Sequence, residues 1–84
     1  MGIRMIRVDP SKNMARWYEI DLQPGLFGDC SVTRYWGRIG AQGQKLETWL
    51  TTDVEAKAVA DRLGRQKASR GYKPLPSPNK QGAV

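Results

Sequence analysis

The sequence predicts an α+β domain: a small antiparallel sheet of about four strands, then one helix near the C-terminus packed on one sheet face. Three observations carry this expectation. Apolar and polar residues alternate along short segments before residue 52, glycine- or proline-bearing turns separate those segments, and beyond residue 52 the apolar spacing becomes helical.

Residues 3–8, IRMIRV, suit a short strand. In residues 14–22, MARWYEIDL, Tyr18, Ile20 and Leu22 alternate with Trp17, Glu19 and Asp21, which gives one apolar and one mostly polar face. Pro24-Gly25 breaks this run, and QPGLFGD is loop. Residues 30–39, CSVTRYWGRI, are rich in β-branched and aromatic types and suit a strand. Gly40 to Gly43 form a hairpin turn into a last strand at 44–51, QKLETWLT. Short turns between successive strands imply an antiparallel meander. Thr52 followed by Glu55 then fits a capping box, with each side chain satisfying a free backbone N–H of the first turn. Ala56, Val59, Ala60 and Leu63 make one narrow apolar stripe, so the helix should lie close on the sheet. Gly64 weakens this helix and Gly71 ends it. The domain is expected over residues 3–72, with residues 73–84, KPLPSPNKQGAV, a disordered tail carrying three prolines.

Composition narrows the function. The 84 residues suit one domain. With one cysteine, Cys30, and no histidine, neither an internal disulfide nor a zinc site can be built, and no metal or cofactor is expected. A lone thiol suits a reducing, cytoplasmic setting. No apolar run approaches the length of a membrane helix, and the start, MGIRMIRVD, lacks the apolar core of a signal peptide. Fourteen basic against eight acidic residues give a net charge of +6. The first 61 residues balance, and the whole excess lies in Arg62, Arg65, Lys67, Arg70, Lys73 and Lys80. Such an end attracts phosphate-rich partners; a solvated helix face running into a soluble tail explains it equally well.

The most informative stretch is RYWGRIG, Arg34 to Gly40. On a strand, Arg34, Trp36 and Arg38 share one face, and Tyr35, Gly37 and Ile39 the other. Two unpaired guanidinium groups beside a buried ring would be costly, so Tyr35 and Ile39 are expected on the covered face and Trp36 on the open one. Gly37 leaves room there for a partner's backbone or sugar.

This run, with Gly43-Gln44 after it, the aromatic pair Trp17-Tyr18 before it, Trp49 in the next strand and the acidic helix start, resembles the signature of the WGR domain family over roughly residues 6–72. The basic ending Arg70-Gly71-Tyr72 is similar to that of small stand-alone bacterial members. The resemblance implies an antiparallel sheet with a helix. In DNA-dependent poly(ADP-ribose) polymerases the motif Trp packs on the terminal nucleotide of a DNA break, and the Arg couples DNA to neighbouring domains. By motif these positions are Trp36 and Arg38. These residues hold no polymerase domain, so the coupling role is not assumed for Arg38.

The expected function is a non-catalytic, nucleic-acid-binding module, with DNA favoured over RNA by the resemblance alone. The expected contact residues are Arg34, Trp36, Gly37, Arg38, Lys45, Arg65, Arg70 and Lys73. A stacked base on Trp36 would contribute about 1–3 kcal/mol. Against this stand plainer readings. Trp36 could be a structural ring, Arg34 and Arg38 could pair with Glu19 or Asp21 across strands, and Lys45 could only keep an edge soluble. Gly40-x-x-Gly43 is flanked by strands, not the helices of a KH clamp, and Asp53 and Glu55 are explained by capping. Cys30 has no histidine to activate it, and Trp17 and Trp49 suit core or half-core packing. A monomer is expected. A protein partner docking on the same Trp/Arg face is the alternative.

Overall fold

A computed structural model describes residues 2–75. The strands are β1 (Gly2–Asp9), β2 (Met14–Pro24), β3 (Cys30–Arg38), β4 (Gln44–Leu50) and β5 (Lys73–Pro74), with one helix, α1 (Asp53–Ser69), before β5. They form one sheet in the order β4-β3-β2-β1-β5, with every pairing antiparallel. The architecture is the expected α+β one, with a fifth strand added. Lys73 and Pro74 pair with Ile6 and Met5, and the Leu75 N–H donates to the Arg4 carbonyl at 2.8 Å. The ordered chain therefore runs past the expected boundary at residue 72. Pro74 is tolerated because β5 is an edge strand, where a missing N–H costs no ladder bond. The rest of the expected tail lies outside the described residues.

Register decides which side chains meet. Tyr18 lies opposite both Met5 and Trp36, Ile20 opposite Ile3 and Arg34, and Leu22 opposite Val32. These residues share the face that α1 covers. The core is Met5, Tyr18, Ile20, Cys30 and Val32 from the sheet, with Ala56 and Ala60 from the helix and Tyr72 just after it. The small helix residues let the backbones approach closely, as the stripe predicts. Val59 and Leu63 flank them, half-buried.

Both ends of α1 follow their local chemistry. The Thr52 hydroxyl accepts from the Glu55 N–H at 3.1 Å. At the other end Gly71 has φ +98°, and Tyr72 N–H donates to the Lys67 carbonyl while Gly71 N–H donates to that of Ala68. This is a Schellman cap, which needs a left-handed residue after the last turn. It folds Tyr72 back beneath Lys67 and delivers the chain to β5.

Gly64 is the weak point within α1. A methyl group there would meet nothing within 4 Å outside the helix's own backbone. Gly64→Ala is therefore expected to stabilise the domain by about 0.5–1 kcal/mol, read from urea denaturation midpoints.

Candidate functional site

The face expected for Trp36 is corrected by the register. Trp36 and Arg34 stand on the helix side of the sheet, not on the open side. Trp36 is half-buried and packs against the core, whereas Ile39 is 50 % exposed beyond the end of β3. The cost anticipated for guanidinium groups beside a covered ring is avoided. Only the last turns of α1 reach this part of the sheet, and they leave it open.

Two adjoining hollows lie there and share Trp36 and Lys67. One, of about 420 Å³, runs between the C-terminal half of α1 and strands β2–β4; Tyr18, Arg34, Trp36, Lys67 and Arg70 line it. The other, of about 260 Å³, is lined by Arg16, Trp17, Trp36, Gly37, Arg38, Lys67 and Tyr72. Arg34, Trp36, Gly37, Arg38 and Arg70 are thus brought together. Lys45 is not: it pairs with Tyr35 on the opposite face. Lys73 sits opposite Ile6, also on that face, and Arg65 is exposed on the helix.

Gly37 is corrected more sharply. Its open side is filled by the chain itself. A Cβ on Gly37 would lie 2.8 Å from the Gly43 Cα and 3.4 Å from Trp17 Nε1. The Trp17 indole lies across both glycines and donates from Nε1 to the Arg38 carbonyl at 3.0 Å. That side is closed by Gly43 and Trp17, and what Gly37 presents to the smaller hollow is its backbone. Trp17 is half-buried in this role, while Trp49, expected in or near the core, is 53 % exposed.

Three further cations, Arg7, Arg16 and Lys67, join the site although residue pattern alone did not place them there. Arg7, Arg16 and Arg38 face one another directly across β1, β2 and β3. They form a row of like charges on the same face as Trp36. Lys67 lies over the tyrosines beside this row. Its ammonium is 4.7 Å from the Tyr18 ring centroid and 5.3 Å from that of Tyr72. The two tyrosines meet edge to face at 6.2 Å. Helical spacing gives a hint of Lys67, four residues after Leu63 and three before Arg70. Nothing in the sequence aligns Arg7 with Arg16, because that depends on strand register.

The electrostatics follow from this convergence. Burial lowers the Lys67 pKa first, and the charges of Arg70, Arg34 and Arg16 lower it further. The Tyr18 hydroxyl is buried with no hydrogen-bond partner of good geometry. Burial raises its pKa, and Arg34 nearby opposes the shift without reversing it. Tyr18 therefore stays neutral and keeps its proton to donate. The acids that could have paired with the motif arginines are elsewhere. Glu19 faces the open side and holds Arg4 at 3.1 Å, and among the described residues no salt bridge engages Arg34 or Arg38. No three Cys, Asp or Glu residues among those described cluster to hold a metal, and no helix among the described residues is long and apolar enough to cross a membrane.

Comparison with known proteins agrees with the motif. The family model described as WGR domain matches residues 1–79. An uncharacterized protein, y4dW, of Sinorhizobium fredii is 46 % identical over 71 residues, which are 84 % of this chain but 35 % of the relative. The chain thus spans about a third of that curated relative's length. No solved structure matches. With the family model covering nearly the whole chain and the Trp-Gly-Arg run built into β3, the protein belongs to the WGR domain family.

Proposed function

We propose that the protein is a non-catalytic nucleic-acid-binding module that takes a phosphate backbone along the basic hollow beside Trp36. The WGR family is associated with nucleic-acid binding in proteins related to poly(ADP-ribose) polymerases, which supports the class of ligand. The observation that carries the reading is the row Arg7–Arg16–Arg38, continued by Arg34, Lys67 and Arg70 around one half-buried indole, with no acidic residue lining either hollow. Like charges directly opposite on neighbouring strands oppose folding. A polyanion relieves that repulsion. The Lys67 pKa is lowered chiefly by burial, and the nearby Arg70, Arg34 and Arg16 charges add to it. A protein partner would have to bring a dense acidic surface to do as much. The Trp36 ring offers its exposed part to a sugar or base. DNA is favoured over RNA on the family relationship.

The test is titration of labelled duplex, nicked and single-stranded DNA, and RNA, at several salt concentrations. With three to five phosphate contacts, the logarithm of the duplex affinity should fall against the logarithm of salt with a slope of about −3 to −5. No binding to any of the four at low salt removes the proposal.

A further inference from the structure

At the opposite end of the sheet, two apolar features stand unused. The β2–β3 loop projects Leu26 and Phe27, which are 93 % and 90 % exposed. Two adjacent large apolar side chains left this bare are unusual on a small domain, where each could otherwise contribute to a scarce core. The loop that carries them is held at its base. Gly25 N–H donates to the Asp29 carbonyl at 2.9 Å, and Phe27 N–H approaches the Asp29 carboxylate at 3.4 Å. The tip is thus presented on a braced stem.

The second feature is a groove of about 290 Å³ between α1 and the start of β1, lined chiefly by Ile3, Ile20, Leu22 and Ala60 with Lys57 and Asp61 at its lip. A cavity of about 150 Å³ is enough to take a benzene ring. The groove therefore has room for a phenyl and a branched aliphatic side chain together. Its own tip does not enter it, as the exposures of Leu26 and Phe27 show.

We infer that the groove receives the Leu26–Phe27 tip of a second copy of this chain, and that the exchange is reciprocal. Both features lie at one end of the molecule, since Gly2 and Leu22 border the groove and β2 leads from Leu22 directly into the loop. Each chain then offers one tip and one groove, the self-complementary arrangement a two-fold pair requires. Asp29 beside the tip meets Lys57, which shares the lip with Asp61 and forms no salt bridge within the described residues of its own chain. Two such contacts, each burying a phenylalanine and a leucine in a shallow groove, bury about 900 Å², the range of a weak, transient pair rather than of a permanent dimer. The basic hollow stays open, because Arg16 and Leu22 lie about 20 Å apart along β2. On this inference the chain forms a weak dimer with two outward basic ends, where a monomer was expected.

Sedimentation equilibrium of the full chain over a wide concentration range tests this. A concentration-dependent monomer–dimer equilibrium is expected. Phe27→Ser should raise the dimer Kd at least about tenfold, the loss of one good apolar contact per groove, and Lys57→Glu should raise it by a smaller factor. Both positions are exposed, so unchanged circular dichroism and melting will show that the variants remain folded. A wild-type chain that stays monomeric up to millimolar concentration overturns the inference. So does a dimer indifferent to Phe27→Ser, or an open series of larger species.

Discussion

Gly43→Ala is expected to destabilise the domain by about 3 kcal/mol, measured as the fall in unfolding free energy by urea titration. Two costs add. Gly43 holds φ +80°, where an L-residue is strained by about 1–2 kcal/mol. A methyl group would also lie 2.5 Å from the Trp36 carbonyl oxygen and 2.6 Å from Trp17 Cζ2. Overpacking of that kind costs about 1–3 kcal/mol. Against a whole stability of about 4–12 kcal/mol for a chain of this length, the loss is large. Gly40 supplies the control within the same turn. It has φ +92° but nothing within 4 Å of its missing Cβ. Gly40→Ala should therefore lose only the backbone part, about 1 kcal/mol. Equal losses at the two positions would sink the steric explanation.

The consequence reaches the site. Trp17 sits on Gly37 and Gly43 and ties itself to the Arg38 carbonyl. This fixes the stretch of β3 whose other side carries Trp36 and Arg38. Alternation along the strand thus splits the motif into two jobs. Its glycine serves the fold on the open face, while its aromatic and cationic members look toward the helix side. A Gly43→Ala protein that remains folded should bind nucleic acid less well, because the strand end that places Arg38 is displaced.

Much of this is legible from residues alone, and the failures have a common cause. The capping box at Thr52, the Ala56–Ala60 stripe and the glycine after the last turn are local signals, and each forms as its chemistry predicts. Strand alternation is equally reliable: Arg34 and Trp36 do share a face. What alternation cannot say is which of two faces a helix covers. Apolar weight favours Tyr35 and Ile39, but Ile39 falls past the end of β3 and Tyr35 lies opposite Glu19 and Lys45 on the open side. The deciding residues are Tyr18 and Ile20, whose register with Trp36 and Arg34 is set by pairing between segments far apart in sequence. The same non-local pairing creates the Arg7–Arg16–Arg38 row, and β5 escapes notice because two residues containing a proline carry no strand pattern.

That row leads to the largest expected functional effect. The triple variant Arg16→Gln, Arg38→Gln, Lys67→Met is expected to bind duplex DNA about 500-fold more weakly at 0.1 M salt. Neutralising three fewer phosphates, at about 0.9 released counterions each, lowers the salt slope by about 2.7, which at that salt is about that factor. The substitutions are chosen to leave the fold intact. Arg16 and Arg38 are exposed, and methionine keeps the apolar stem by which Lys67 packs against Tyr18 and Tyr72. Removing like charges from one face should leave stability unchanged or raise it slightly, so weaker binding cannot be attributed to unfolding. The comparison that decides the matter is a second triple, Lys45→Gln, Arg65→Gln, Lys73→Gln. It removes the same net charge from residues that the fold holds away from Trp36. If attraction depends only on the protein's overall charge, the two triples will weaken binding alike. If the hollow beside Trp36 is where the backbone lies, the second triple will retain most of the affinity and nearly all of the salt slope, because a counterion is released only where a phosphate is met.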